Sequence, residues 1–155
     1  MIQKLNLPIA KIKLTKDSKG QLFVWCIIRN KKLVLTPEEW VRQHIIHFLI
    51  NQKNVPKSLI ASEALIKVNE LNRRCDIVVF SLTKHPVLVV ECKAPEIELS
   101  EKVVSQIAQY NSVLQSPYLL ISNGLNHFTI KVDHSENNIK LLNELPTFDE
   151  LSLSI

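Results

Sequence analysis

At 155 residues, with 46% hydrophobic and 22% charged positions, the chain has the size and composition of one soluble globular domain able to bury a core. No apolar run approaches the roughly 18–20 residues of a membrane span. The N-terminal residues hold neither a continuous apolar region nor a small-residue cleavage site, so a cytoplasmic location is expected. Three scattered cysteines, Cys26, Cys75 and Cys92, without C-x-x-C spacing, argue against a disulfide framework or a zinc site and predict reduced, packed thiols.

The net charge of +4 is uneven. Residues 1–32 carry eight basic groups against Asp17, a local charge of +7, which leaves −3 for the remainder. Such a basic segment, including Lys11, Lys13, Lys31 and Lys32, suits a polyanion. It equally suits a lysine-guarded edge hairpin.

In chain order, the alternation over Ile9 to Leu14, the turn residues Asp17-Ser18-Lys19-Gly20, the run Leu22 to Ile28, the turn Asn30-Lys31 and the run Leu33 to Leu35 predict an N-terminal β-meander over residues 1–35. Thr36-Pro37-Glu38-Glu39 then opens a helix, with Thr36 as N-cap, Pro37 at the first helical position and Glu39 at the capping-box position. The stripe Val41, Ile45, Phe48, Leu49 carries this helix to about Asn51. Leu59 to Val68 reads as a strand, and the polar stretch Asn69 to Arg74, with Arg73 and Arg74 as candidate phosphate contacts, reads as a turn. After Ala94-Pro95, Ser100 caps a second helix to about Leu114, and two further strands, Tyr118 to Ser122 and His127 to Val132, flank the turn Asn123-Gly124. Residues 133–155 form a tail without a readable pattern. No repeat, low-complexity tract or linker divides the chain, so one domain is expected.

The informative stretch is Cys75 to Lys93, two β-rich runs, Ile77 to Leu82 and Pro86 to Val90, joined by a short polar turn. Paired as a hairpin, they bring Asp76 at the start of the first run near Glu91 at the end of the second. Side chains alternate along a strand, so Glu91 and Lys93 share a face and Cys92 points away. An acid two residues before a lysine also occurs on solvated strands as a simple salt bridge. Val87 to Val90, however, is unbroken where a solvated strand would alternate, and reads as buried on both faces. Two carboxylates beside buried strands repel one another, and a divalent cation with hard oxygen ligands such as Mg²⁺ resolves that repulsion.

Asp76 followed by Glu91-Cys92-Lys93 resembles the PD-(D/E)xK nucleases, with Cys75 where the family name has proline. The order helix, three strands, helix, two strands over residues 36–132 is similar to their restriction-endonuclease-like αβββαβ core, an α/β fold of a mixed sheet flanked by helices. On the second helix, Gln106 and Tyr110 stand one turn apart on one face. This resembles the Q-x-x-x-Y motif of the N-terminal nuclease domain of type I restriction enzyme R subunits. The resemblance implies a DNA endonuclease in which Asp76 and Glu91 bind Mg²⁺ or Mn²⁺, joined by Glu39 or, failing it, Glu38. It further implies that Lys93 orients or helps deprotonate the attacking water, and that Gln106 and Tyr110 position substrate or the lysine. The capping box alone would also account for Glu39.

No Walker A sequence is present, so a cutting module without a motor is expected. Its double-strand cleavage would need a homodimer or a separately encoded recognition or motor protein. The alternative is a non-catalytic module that binds nucleic acid or a partner protein on a nuclease fold. His44, His47 and His85 lack metal-ligand spacing, and Trp25 and Trp40 read as core.

Overall fold

The computed structural model describes residues 2–68 and 70–153. Among these, two sheets are built. A small antiparallel one joins β1 (Leu14–Lys16), β2 (Leu22–Cys26) and β3 (Lys31–Val34). A larger one runs in spatial order β4 (Ile60–Val68), β5 (Leu71–Phe80), β6 (Pro86–Cys92), β7 (Tyr118–Ser122), β8 (His127–Asp133) and β9 (Asn138–Leu142). Only the β6/β7 pair is parallel. A parallel pair needs a crossover, and α2 (Glu101–Asn111) supplies it. The larger sheet is thus a mixed sheet flanked by helices, in the element order expected.

The sheet is covered on both faces. On one, α1 (Pro37–Gln52) lays Val41, Ile45, Ile46 and Leu49 against Ile77, Val79, Leu88, Val90 and Tyr118, with Phe148 and Leu151 of α3 (Phe148–Ser152) completing the layer. On the other, Val103, Val104 and Ile107 of α2 cover Val78, Val89, Leu119 and Ile121. Val87 to Val90 are buried without a break, as a strand covered twice must be. The three thiols are free and buried. Burial pushes Cys75 up to about 11 and Cys92 well above the usual thiol range, which keeps both protonated and unreactive. No helix among the described residues is long and apolar enough to cross a membrane.

Several expectations are corrected. Residues 9–13 are not strand, and Ile9 is fully exposed. β2 turns away after Cys26, so Lys13 still accepts from the Trp25 amide at 3.0 Å but residues 9–12 face no strand edge. Asn69 lies outside the described residues. Glu70 is turn, with φ +67°, but from Leu71 the expected turn is strand, and Asn72, Arg73 and Arg74 pair with Lys67, Ile66 and Leu65. β5 ends at Phe80, and Ser81 to His85 form the turn, closed by the Ser81 amide donating to His85 at 2.8 Å. Leu82 is therefore exposed. The tail contributes β9 and α3. A Thr147/Glu150 capping box starts α3, and residues 154–155 lie outside the described residues. Gly124 holds the expected turn with φ +82°, and a Cβ there would stand 2.8 Å from Leu5 Cδ2, so glycine lets the N-terminal segment pack on Val41.

Candidate active site

The β5/β6 ladder runs from Phe80↔Pro86 to Ile77↔Val90, which leaves Asp76 and Glu91 just beyond the last paired residues. There the Asp76 carboxylate takes over from the ladder: Oδ2 accepts from the Cys92 amide at 2.8 Å, while Oδ1 accepts from Arg42 Nη2 at 2.8 Å. Glu91 Oε1 accepts from Lys93 Nζ at 3.2 Å, and the Lys93 amide donates to Ser122 at 2.8 Å, which fixes the chain as it leaves β6. The expected convergence of Asp76, Glu91 and Lys93 is present.

Arg42, a residue with no assigned role in the sequence, occupies the centre. Its side chain is 7% exposed and its guanidinium reaches Glu38 at 3.0 Å, Glu39, and Asp76. Glu39 is buried and also accepts from Gln43 Nε2 at 2.8 Å. Thr36 Oγ1 accepts from the Glu39 amide at 3.1 Å, but the Glu39 carboxylate is spent on Arg42 and Gln43 rather than on the helix N-terminus. The capping box therefore does not account for Glu39. Burial would lower the Arg42 proton affinity, but Asp76 and Glu39 beside it outweigh burial and raise it. Such a group is a permanent cation. The signal that could have found it is a charge three and four residues after two acids on an otherwise apolar helix face, since buried charge survives only when paired.

Glu63 is the second residue missed. It sits in β4 with φ +51°, a left-handed conformation unusual for glutamate. The β4/β5 ladder pairs Ser62 with Ile77 and Ala64 with Cys75, and lapses between them where Glu63 stands opposite Asp76. A backbone held there costs about 1–3 kcal/mol, a kind of strain that clusters at functional sites. Its carboxylate pairs with Arg29 and Arg74 and lies 3.9 Å from Arg42.

Glu91 is poorly compensated. Burial first, then the Asp76 charge, raises its proton affinity, and Lys93 offsets only part of this. For Lys93, burial lowers the affinity, but Glu91, Glu38 and Asp76 raise it further, so the ammonium stays charged. Four carboxylates (Glu38, Glu39, Asp76, Glu91) face two cations (Arg42, Lys93). The donor set fits a hard divalent cation through the pair Asp76 and Glu91, since Mg²⁺ commonly takes one or two carboxylates with water completing its shell. Among the described residues no three acidic, histidine or cysteine side chains are grouped for a metal, because Arg42 stands between Glu39 and Asp76.

The remaining candidates divide. Gln106 is exposed on α2, and Tyr110, half-exposed, carries the Arg73 guanidinium 4.0 Å above its ring instead of touching an acid. Arg74 binds Glu63. Lys11, Lys13, Lys31 and Lys32 are exposed on the N-terminal segment and β3. His44 is tied to the Trp40 carbonyl at 2.9 Å, and burial lowers the proton affinity of both His44 and His47.

The family described as type I restriction enzyme R protein N terminus (HSDR_N) matches residues 37–146, a stretch that contains α1, α2 and all of β4–β9. Among solved structures, a fragment termed an HsdR subunit of a type I restriction enzyme from Vibrio vulnificus is similar at 22% identity and a TM-score of 0.44. The match covers 66% of this chain and 21% of that one, so the chain spans about a fifth of that protein's length. No curated protein matches the chain significantly.

Proposed function

This chain belongs to the type I restriction enzyme R protein N-terminal family, and we propose that it is a metal-dependent DNA endonuclease domain of the PD-(D/E)xK kind, working in the cytoplasm. The observation that carries this is Glu91, a carboxylate strained by burial and by Asp76, with a charged lysine at 3.2 Å. Asp76 and Glu91 hold a Mg²⁺ or Mn²⁺ ion, which when bound supplies Lewis-acid polarisation of a phosphoryl oxygen. Lys93 orients the attacking water and offsets the charge that gathers on the phosphate as the bond to water forms. Arg42 fixes Asp76 so that one oxygen stays directed at the β6 end. Gln106 and Tyr110 position substrate from the exposed face of α2. One chain offers one such site, so breaking both strands requires a second copy or a separate recognition or motor protein.

A second reading has its own support. Arg42 already pairs with both Asp76 and Glu39, an arrangement that suits a nuclease fold used only to bind DNA or a partner. A titration of Mg²⁺ and Mn²⁺ against supercoiled plasmid separates the two. The endonuclease yields nicked circles before linear DNA, only with the metal and in proportion to protein concentration. Intact plasmid throughout, from a folded chain, refutes it.

A further inference from the structure

We infer that Arg29 and Arg74, held together by Glu63, form a binding subsite for a backbone phosphate of a nucleic acid strand beside the acid site. The two arginines come from different parts of the fold. Arg29 lies in the turn between β2 and β3 of the small sheet, and Arg74 lies on β5, two residues before Asp76. Glu63 draws them to one place, with Oε2 on Arg29 and Oε1 on Arg74. Each guanidinium has five N–H donors in a planar fork, and a single carboxylate cannot use those of two. Donors therefore remain on both guanidiniums beside one carboxylate, the chemistry that takes the oxygens of a phosphodiester.

Charge and exposure favour a ligand over a strut. The neighbouring Arg42 is committed to Glu38, Glu39 and Asp76, whereas Arg29 and Arg74 against Glu63 leave one positive charge uncancelled. The Arg74 side chain is 70% exposed, and an ion pair so exposed adds little to stability. The carboxylate that aims it, by contrast, is 15% exposed and held in a strained left-handed backbone. Arg42, 3.9 Å from Glu63 and 2.8 Å from Asp76, links the subsite to the carboxylates. A strand whose phosphate rests on Arg29 and Arg74 lies across the middle of β5, where its pairing with β6 stops, beside Asp76.

The subsite rests on the endonuclease reading for its substrate, but binding tests it without metal. The full chain and its R74Q, R29Q and E63Q variants are titrated against two labelled duplexes of unrelated sequence in EDTA, from 50 to 200 mM salt, by fluorescence anisotropy. Removing one phosphate contact flattens the slope of log K against log salt by about 0.9, to the same degree on both duplexes. R74Q shows this with an unchanged melting temperature, R29Q shows it too, and E63Q, which lets the arginines drift apart, weakens binding although it removes a negative charge. An unchanged slope in R74Q, or a wild-type chain that does not bind, overturns the subsite. If R29Q melts early, R74Q decides alone. Metal-dependent cutting with an unchanged R74Q slope keeps the endonuclease and loses the subsite. An arginine-dependent slope without cutting does the reverse.

Discussion

The α1 side and the β6 side of the site hold the same chemical group in opposite conditions. Asp76 and Glu39 meet a buried guanidinium, an amide and a glutamine, and each of their four oxygens already accepts a hydrogen bond. Glu91, at the end of the neighbouring strand, has a single lysine and the repulsion of Asp76. Counted as acids the three are alike. What separates them is how far the fold compensates each charge before any ligand arrives, and the least compensated one is where an external cation gains most.

The sharpest way to break this contrast is to remove the fixed cation. Arg42→Ala leaves Asp76 and Glu39 without the cation they share, and should lower stability by about 3–5 kcal/mol in urea unfolding. Arg42→Lys keeps the charge but loses the fork that spans Glu38, Glu39 and Asp76, so it should recover only part of that loss. If Arg42→Ala unfolds at the wild-type urea midpoint, the α1 side is no better compensated than the β6 side. Next comes Lys93→Ala, which should keep Mn²⁺ affinity in calorimetry and slow cleavage about a hundredfold, roughly 2.7 kcal/mol of barrier. Full activity in this variant would move the role of the cation elsewhere.

The smallest effects test the two carboxylates directly, by the sign of the change. Asp76→Asn weakens a charge-assisted bond to buried Arg42 and should cost about 1–3 kcal/mol at neutral pH. Glu91→Gln should melt at or slightly above wild type, because the amide still accepts from Lys93 and the buried charge is gone. The pH dependence follows from the raised proton affinity of Glu91. The folded chain holds that proton more tightly than the unfolded one, so the stabilising contribution is complete below the ordinary carboxylate range. It is lost as pH rises through the elevated folded value. The advantage of Glu91→Gln should therefore be present at pH 7 and vanish below about pH 4. A Glu91→Gln variant that melts well below wild type at pH 7 would make Glu91 as well compensated as Asp76.

At α1 and β6, where the determining contacts are local, the sequence was a sufficient guide. Thr36, Pro37 and the apolar stripe behind them set α1, since a cap and its hydrogen bond span three residues. The two-residue period of β6 put Glu91 and Lys93 on one side, and the unbroken Val87 to Val90 marked a strand covered twice. The adjacency of Asp76 and Glu91 followed from one short hairpin. The tail, by contrast, had no readable pattern, because its short helix depends on a core for Phe148 and Leu151 to enter.

What tertiary structure alone decided was the company those acids keep. Arg42 and Asp76 are 34 residues apart, and nothing near either one signals the other. Glu63 looked like one more polar residue on a strand until Arg29 from the small sheet and Arg74 from β5 closed on it. Gln106 and Tyr110 lay one turn apart as the motif requires, yet only the packing of α2 set Tyr110 against Arg73 instead of the acids. Hydrophobic period and capping are written within a turn or a strand. The compensation of a buried charge depends on which distant cation the sheet and helices bring within about 3–4 Å, and Coulomb energy in a half-buried site changes steeply over that distance.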